Sequence, residues 1–219
     1  MASPKTVIFD VDGVLVDSYQ AHFHSWRSML AEQGAQFTEQ QFRATFGRTS
    51  RDIIGELYDG KLTDEEILRL DDRKEALFRE LLRQEFPVIE GAVELIESLA
   101  EADFALAVGS SGPPENVQLT LDSLACGNRI AVQVTGGDVT RGKPDPQVFL
   151  LAAERLGVHP EQCAVVEDAP AGVEAANRAA MTSIALTGTA SREQLSHARF
   201  VVDSLSELSP NLITKLIEA

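Results

Sequence analysis

Short apolar runs rich in Val and Ile recur along the chain, at Thr6 to Phe9, Phe104 to Val108, Ile130 to Val134, Cys163 to Val166, Ser183 to Leu186 and Phe200 to Val202. Between them lie stretches with helical spacing of apolar positions. This alternation predicts an α/β fold built on a parallel sheet, whose strands are buried on both faces and therefore read as unbroken apolar runs. Helix starts are marked by Asp145 ahead of Pro146, which is expected at the first helical position, and by Ser209 ahead of Pro210.

The rhythm fails once. Between the first strand and Phe104 lie about ninety residues without a strand pattern, although a βα unit normally returns to its sheet much sooner. The interval reads as helical. Ala21 to Gln33 ends at Gly34, Thr38 with Gln41 forms one capping-box pattern, and Thr63 with Glu66 forms another ahead of a run to Glu85. The chain is thus expected to divide into a core of residues 1–17 and 88–219 and an inserted four-helix domain of residues 18–87. Pro87 and Gly91 bracket the return, so the two crossing segments are expected to form a hinge.

Composition narrows the function. Among 219 residues, 34 acidic side chains face 19 basic ones, a net charge of −15. Such a surface repels nucleic acids and anionic membranes, so any cation that meets an anion must be placed locally. No apolar stretch approaches the roughly 20 residues of a membrane helix, and the first ten residues lack a signal-peptide layout, which predicts a cytoplasmic protein. Cys126 and Cys163 stand apart from any metal-binding spacing and read as buried small hydrophobes.

The candidate chemistry sits where strands should end. Asp10 and Asp12 leave the first strand at a spacing of two, hence on one side, at the carboxyl edge where open α/β sheets bind ligands. Gly13 lets the backbone turn directly afterwards. Two close carboxylates call for a cation, and a hard, oxygen-ligated ion such as Mg²⁺ fits. Ser110, Ser111 and Gly112 follow the next strand, offering a hydroxyl and free N–H groups suited to an anion. Lys143 stands between Gly142 and Pro144 at a helix entrance, and Glu167 with Asp168 follows the strand from Cys163. Taken singly, Asp168 or the serines read equally well as helix caps, and Lys143 as a solvated surface lysine. Carboxylates, hydroxyl with amides, amine and carboxylates at four successive strand ends form a coherent set.

In this order, Asp10-Val11-Asp12-Gly13-Val14, Ser110, Lys143-Pro144 and Glu167-Asp168 resemble the four motifs of the haloacid dehalogenase-like superfamily, and the helical insertion is similar to its C1-type cap. The resemblance covers essentially the whole chain. It implies a Rossmann-like, doubly wound parallel sheet core with an inserted cap. Within that superfamily the chain is most similar to the β-phosphoglucomutase-like group. His22, Trp26, Arg51 and Lys74 stand where that group's mutases have residues that meet substrate, with Trp26 also readable as packing and Lys74 as a solvated helix face. Gly112-Pro113-Pro114 departs from the mutases, which continue the second motif with another Ser and an Asn.

The resemblance implies that Asp10 is a nucleophile forming an aspartyl-phosphate, that Asp12 is general acid and base, and that Ser110 and Lys143 hold the phosphoryl group. It places Mg²⁺ on Asp10, the backbone carbonyl of Asp12 and Asp168, with Glu167 orienting the site. Substrate selection falls to His22, Trp26, Arg48, Arg51 and Lys74 of the cap, with Ser111 and Gly112. The expected function is a Mg²⁺-dependent phosphatase of small phosphorylated metabolites, acting as a monomer or small homo-oligomer. The alternatives are a β-phosphoglucomutase-type mutase and, from another class, a phospho-receiver module.

Overall fold

The computed structural model describes residues 5–45 and 49–219. Strand β1 (Thr6–Phe9) opens the fold. Four helices follow: α1 (Tyr19–Glu32), α2 (Glu39–Ala44), α3 (Ser50–Leu57) and α4 (Asp64–Gln84). The chain then runs through α5 (Ala92–Glu101), β2 (Ala105–Gly109), α6 (Pro114–Ser123), β3 (Val132–Val134), α7 (Gln147–Leu156), β4 (Cys163–Glu167), α8 (Pro170–Arg178), β5 (Thr182–Leu186), β6 (Phe200–Val202) and α9 (Pro210–Glu218).

Two compact units result, one of Met1–Asp17 with Val88–Ala219 and one of Ser18–Pro87. The first contains the sheet, with strand order β3-β2-β1-β4-β5-β6 and every pairing parallel. The chain winds outward from β1 in one direction and then from β4 in the other. The switch point therefore lies between β1 and β4, whose carboxyl ends are where such sheets bind ligands. Ile8, Ala107 and Val165 share an apolar cluster with Val148, Phe149 and Ala152 of α7 and Ala175 and Ala176 of α8. Val7 and Phe9 point the other way by alternation and are equally inaccessible, so both faces are covered. The leaving and returning segments of this unit run side by side, bridged antiparallel at Val16 and Val88.

Among the described residues, the regular elements of the second unit are the helices α1 to α4. The Thr38 and Thr63 hydroxyls accept from the N–H groups of Gln41 and Glu66, whose side chains accept from the threonine N–H groups in return, completing both capping boxes. Phe23, Trp26, Met29, Leu30, Phe42, Ile53, Ile54 and Leu70 build its interior.

Several expected boundaries shift, three of them with a local reason on view. The strand expected from Ile130 starts at Val132, because Gly127 to Arg129 form a 3-10 turn and the Ile130 N–H donates to the Gly127 carbonyl. Helix α7 begins at Gln147 rather than Pro146, with an Asp145 oxygen accepting from the Gln147 N–H at 3.0 Å. Helix α1 begins at Tyr19 rather than Ala21, and the His22 N–H already donates to the Ser18 carbonyl.

Candidate active site

Asp10 follows β1 directly, its N–H continuing the ladder to the Val166 carbonyl at 2.9 Å. This register sets Asp10 beside Glu167, the last residue of β4, and Asp168 after it. All three are buried, and each offers a carboxylate oxygen within 4.8 Å of the others. Lys143 enters from the segment ahead of α7. Its ammonium lies 2.5 Å from Asp10 Oδ1 and 2.7 Å from Glu167 Oε1, and 4.8 Å above the centroid of the Phe149 ring. The second oxygen of Glu167 accepts from the N–H groups of Asp168 at 2.8 Å and Ala169 at 2.9 Å. Glu167 is thus held at both oxygens, and it, not Asp168, satisfies the amides at the turn into α8.

Close approach is possible because two residues lack a Cβ. A Cβ on Gly172 would lie 1.7 Å from Glu167 Oε1, and one on Gly13, at φ +77°, would lie 1.9 Å from Asp168 Oδ2. Both glycines follow acidic motif residues by a few positions, so short local segments form the walls of the cluster.

Three buried carboxylates surround one ammonium, and the imbalance shows in their protonation. Burial pushes the Asp10 carboxyl up to about 7, with Glu167 and Asp12 reinforcing the shift and Lys143 opposing it. Burial likewise raises Asp168 well above the ordinary carboxylate range, helped by Glu167 and Asp10. Burial works against the charge on Lys143, but Asp10 and Glu167 outweigh it and hold the ammonium above its ordinary value. Uncompensated buried negative charge with hard oxygen donors is the donor chemistry of Mg²⁺. The residues therefore fit a divalent cation, with Asp10 and Asp168 the available ligands and Glu167 committed to Lys143 and the backbone.

Ser110 is buried at the end of β2, and its Oγ accepts from the Gly112 N–H at 3.0 Å. Asp12 reaches this loop, its Oδ2 lying 3.9 Å from where a Gly112 Cβ would stand. Among the described residues, the acidic cluster comprises Asp10, Glu167 and Asp168, and Asp12 is outside it. Ser111 is exposed. Helix α6 opens at Pro114 behind Pro113 with no side-chain cap, and Gly112, Pro113 and Pro114 themselves offer no side-chain donor.

The remaining candidates belong to the helical unit, apart from Arg48, which lies outside the described residues. Lys74 is only 2% exposed, which corrects its reading as a solvated helix face. Its ammonium contacts Glu75 Oε1 at 2.7 Å and His22 Nδ1 at 3.0 Å, and Ser50 donates to the same Glu75 oxygen at 3.3 Å. The His22 ring stacks on Phe78, with centroids 4.0 Å apart. Trp26 is a packing residue of the same interior, next to Phe37 and 5.7 Å from the Lys74 ammonium. Arg51 remains largely exposed and pairs with Asp71 at 3.1 Å.

Glu75, Asp71 and Phe149 escaped sequence reasoning. Glu75 carries one faint signal, a charged neighbour of Lys74 in an otherwise amphipathic helix, while the other two have no local signature.

Comparison with known proteins agrees with this geometry. Residues 7–186 match the family described as haloacid dehalogenase-like hydrolase. The chain is 31% identical over 208 residues to a validoxylamine A 7'-phosphate phosphatase of Streptomyces hygroscopicus subsp. limoneus, covering 93% of this chain and 95% of that protein. It is 35% identical over 184 residues to a phosphorylated carbohydrates phosphatase of Thermotoga maritima, covering 82% and 83% respectively. The crystal structure of a β-phosphoglucomutase from Clostridium difficile superposes with a TM-score of 0.87 at 24% identity, over 98% of this chain and 97% of that one. The carboxylate cluster at the switch point and the match through β5 lead to one conclusion: the chain belongs to the haloacid dehalogenase-like hydrolases and is an enzyme acting on phosphate esters.

Proposed function

We propose that the protein is a Mg²⁺-dependent phosphatase of small phosphorylated metabolites, sugar phosphates foremost, working through an aspartyl-phosphate on Asp10. The observation that carries this reading is the buried cluster of Asp10, Glu167 and Asp168 clamped by Lys143. Its Streptomyces relative, a validoxylamine A 7'-phosphate phosphatase by name, and its Thermotoga relative, a phosphorylated carbohydrates phosphatase by name, support the substrate class.

In this reading, Lys143 and the Ser110 hydroxyl hold phosphoryl oxygens and stabilise the charge that spreads over them, where most of the catalysis of phosphoryl transfer arises. An Asp10 oxygen attacks phosphorus, and the bond to the leaving oxygen breaks as Asp12 gives that oxygen its proton. Asp12 then takes a proton from water, the hydroxide attacks the aspartyl-phosphate, and Asp10 is regenerated as inorganic phosphate leaves. Mg²⁺, held by Asp10, Asp168 and the Asp12 carbonyl, would neutralise the charge between carboxylate and phosphate. Glu167 fixes Lys143 in place. The helical unit acts as the cap, and its His22, Arg48, Arg51 and Lys74 select the substrate.

The test is phosphate release from a panel of sugar phosphates and phosphoglycolate with and without Mg²⁺, beside the Asp10→Asn variant. Release that needs Mg²⁺ and falls at least about 10³-fold in the variant is expected. Unchanged release in Asp10→Asn removes the nucleophile assignment. Conversion of glucose 1-phosphate to glucose 6-phosphate with a bisphosphate primer, without net release, would make the enzyme a mutase despite Pro113 and Pro114.

A further inference from the structure

The segment between β5 and β6 has no part in the four motifs, yet it is tied down at both ends of Thr189. The Thr187 N–H donates to the Val202 carbonyl at 2.9 Å and its hydroxyl to Asp203 at 2.8 Å. The Arg192 guanidinium pairs with Asp203 at 2.9 Å and donates to the Val201 carbonyl at 3.2 Å. Leu195 is fully buried against Val173 and Ala185. A loop with polar residues on its exposed side is thereby held over the carboxyl end of the sheet.

Thr189 uses that placement. Its hydroxyl converges with Asp168 on the space left by the missing side chain of Gly13. A Cβ there would meet Asp168 Oδ2 at 1.9 Å and Thr189 Oγ1 at 2.8 Å. Three loops, after β1, β4 and β5, thus meet at one carboxylate oxygen. The Thr189 hydroxyl hydrogen-bonds the Asp168 carboxylate there.

We infer that Thr189 is a positioning residue for the metal site, its hydroxyl orienting the Asp168 carboxylate toward the position a divalent cation would take. The inference rests on the metal reading proposed above. Asp10 is oriented by Lys143, and Glu167 by Lys143 and two amides. Asp168 needs a comparable partner, because ligating carboxylates are themselves held by hydrogen bonds and lose metal affinity without them.

The experiment is calorimetric titration of the resting protein with Mg²⁺, with no substrate present, for wild type, Thr189→Val and Thr189→Ser. Val keeps the shape and removes the hydroxyl, whereas Ser restores it. Thr189→Val is expected to weaken Mg²⁺ binding about tenfold or more, with Thr189→Ser close to wild type and the metal-free melting temperature the same in all three. Equal affinity in Thr189→Val, or an equal loss in Thr189→Ser, overturns the inference while leaving the metal site intact. Absence of Mg²⁺ binding by the wild type overturns both the inference and the reading beneath it.

Discussion

Lys143 offers one positive charge to two buried carboxylates, and Asp168 lies beside them with no salt bridge of its own among the described residues. The proton balance of the metal-free site follows. In the folded protein Asp10 keeps its proton up to about pH 7, whereas its ordinary value is 3.8. Between these values the folded state binds more protons than the unfolded chain, so this group makes stability fall as pH rises through the window. Asp168, also raised, acts with the same sign. The melting temperature of metal-stripped protein, followed from pH 4 to 8, should therefore decline toward neutrality, and Asp10→Asn should flatten the decline. Parallel profiles for the two proteins would show that Asp10 does not carry the effect. Asp10, Lys143, Glu167 and Asp168, which the structure brings together, were singled out by the sequence because each lies at or just beyond a strand end or on the approach to a helix. Their partners were not. Phe149 looks like any core residue, and Thr189 like any loop threonine.

At the level of elements, α4 shows how a helix can hide a charge. Lys74 and Glu75 are both buried, and Glu75 joins Lys74 to Ser50 of α3 while His22 of α1 closes the other side. Removing the carboxylate strands a buried ammonium, which typically costs about 3–5 kcal/mol. Glu75→Gln should thus lower the melting temperature by about 5 °C or more, measured by calorimetry. A change under about 1 °C would mean that the pair is solvated in solution. The caps of α2 and α4 were readable because a capping box is complete within four residues. The start of β3 was not, because a 3-10 turn competed for Ile130.

For the molecule as a whole, metal binding and folding are linked. A cation that binds only the folded cluster stabilises it by about 2.7 kcal/mol at a hundred times its dissociation constant. For a chain of 219 residues this corresponds to a rise of about 5–10 °C in melting temperature. Saturating Mg²⁺ should produce that rise in the wild type, and Asp168→Asn should lose most of it. An identical rise in both would place the cation elsewhere. The net charge of −15 works in the same direction, since it favours cations over anions everywhere that Lys and Arg are not locally arranged.

The sequence by itself determined the alternation of strands and helices, the helical interval after β1 and the four chemical motifs. Each of these depends on spacings of two to four residues, where backbone geometry alone decides which side chains share a face. Tertiary structure alone decided which groups meet. Asp10 and Lys143 lie 133 positions apart, and Lys74 and His22 52 apart. Such contacts depend on strand order and on how loops are pinned, for which local spacing holds no information. The same holds for Thr189, which reaches the Asp168 carboxylate only because Gly13 leaves the space and Arg192, Asp203 and Leu195 hold its loop in place.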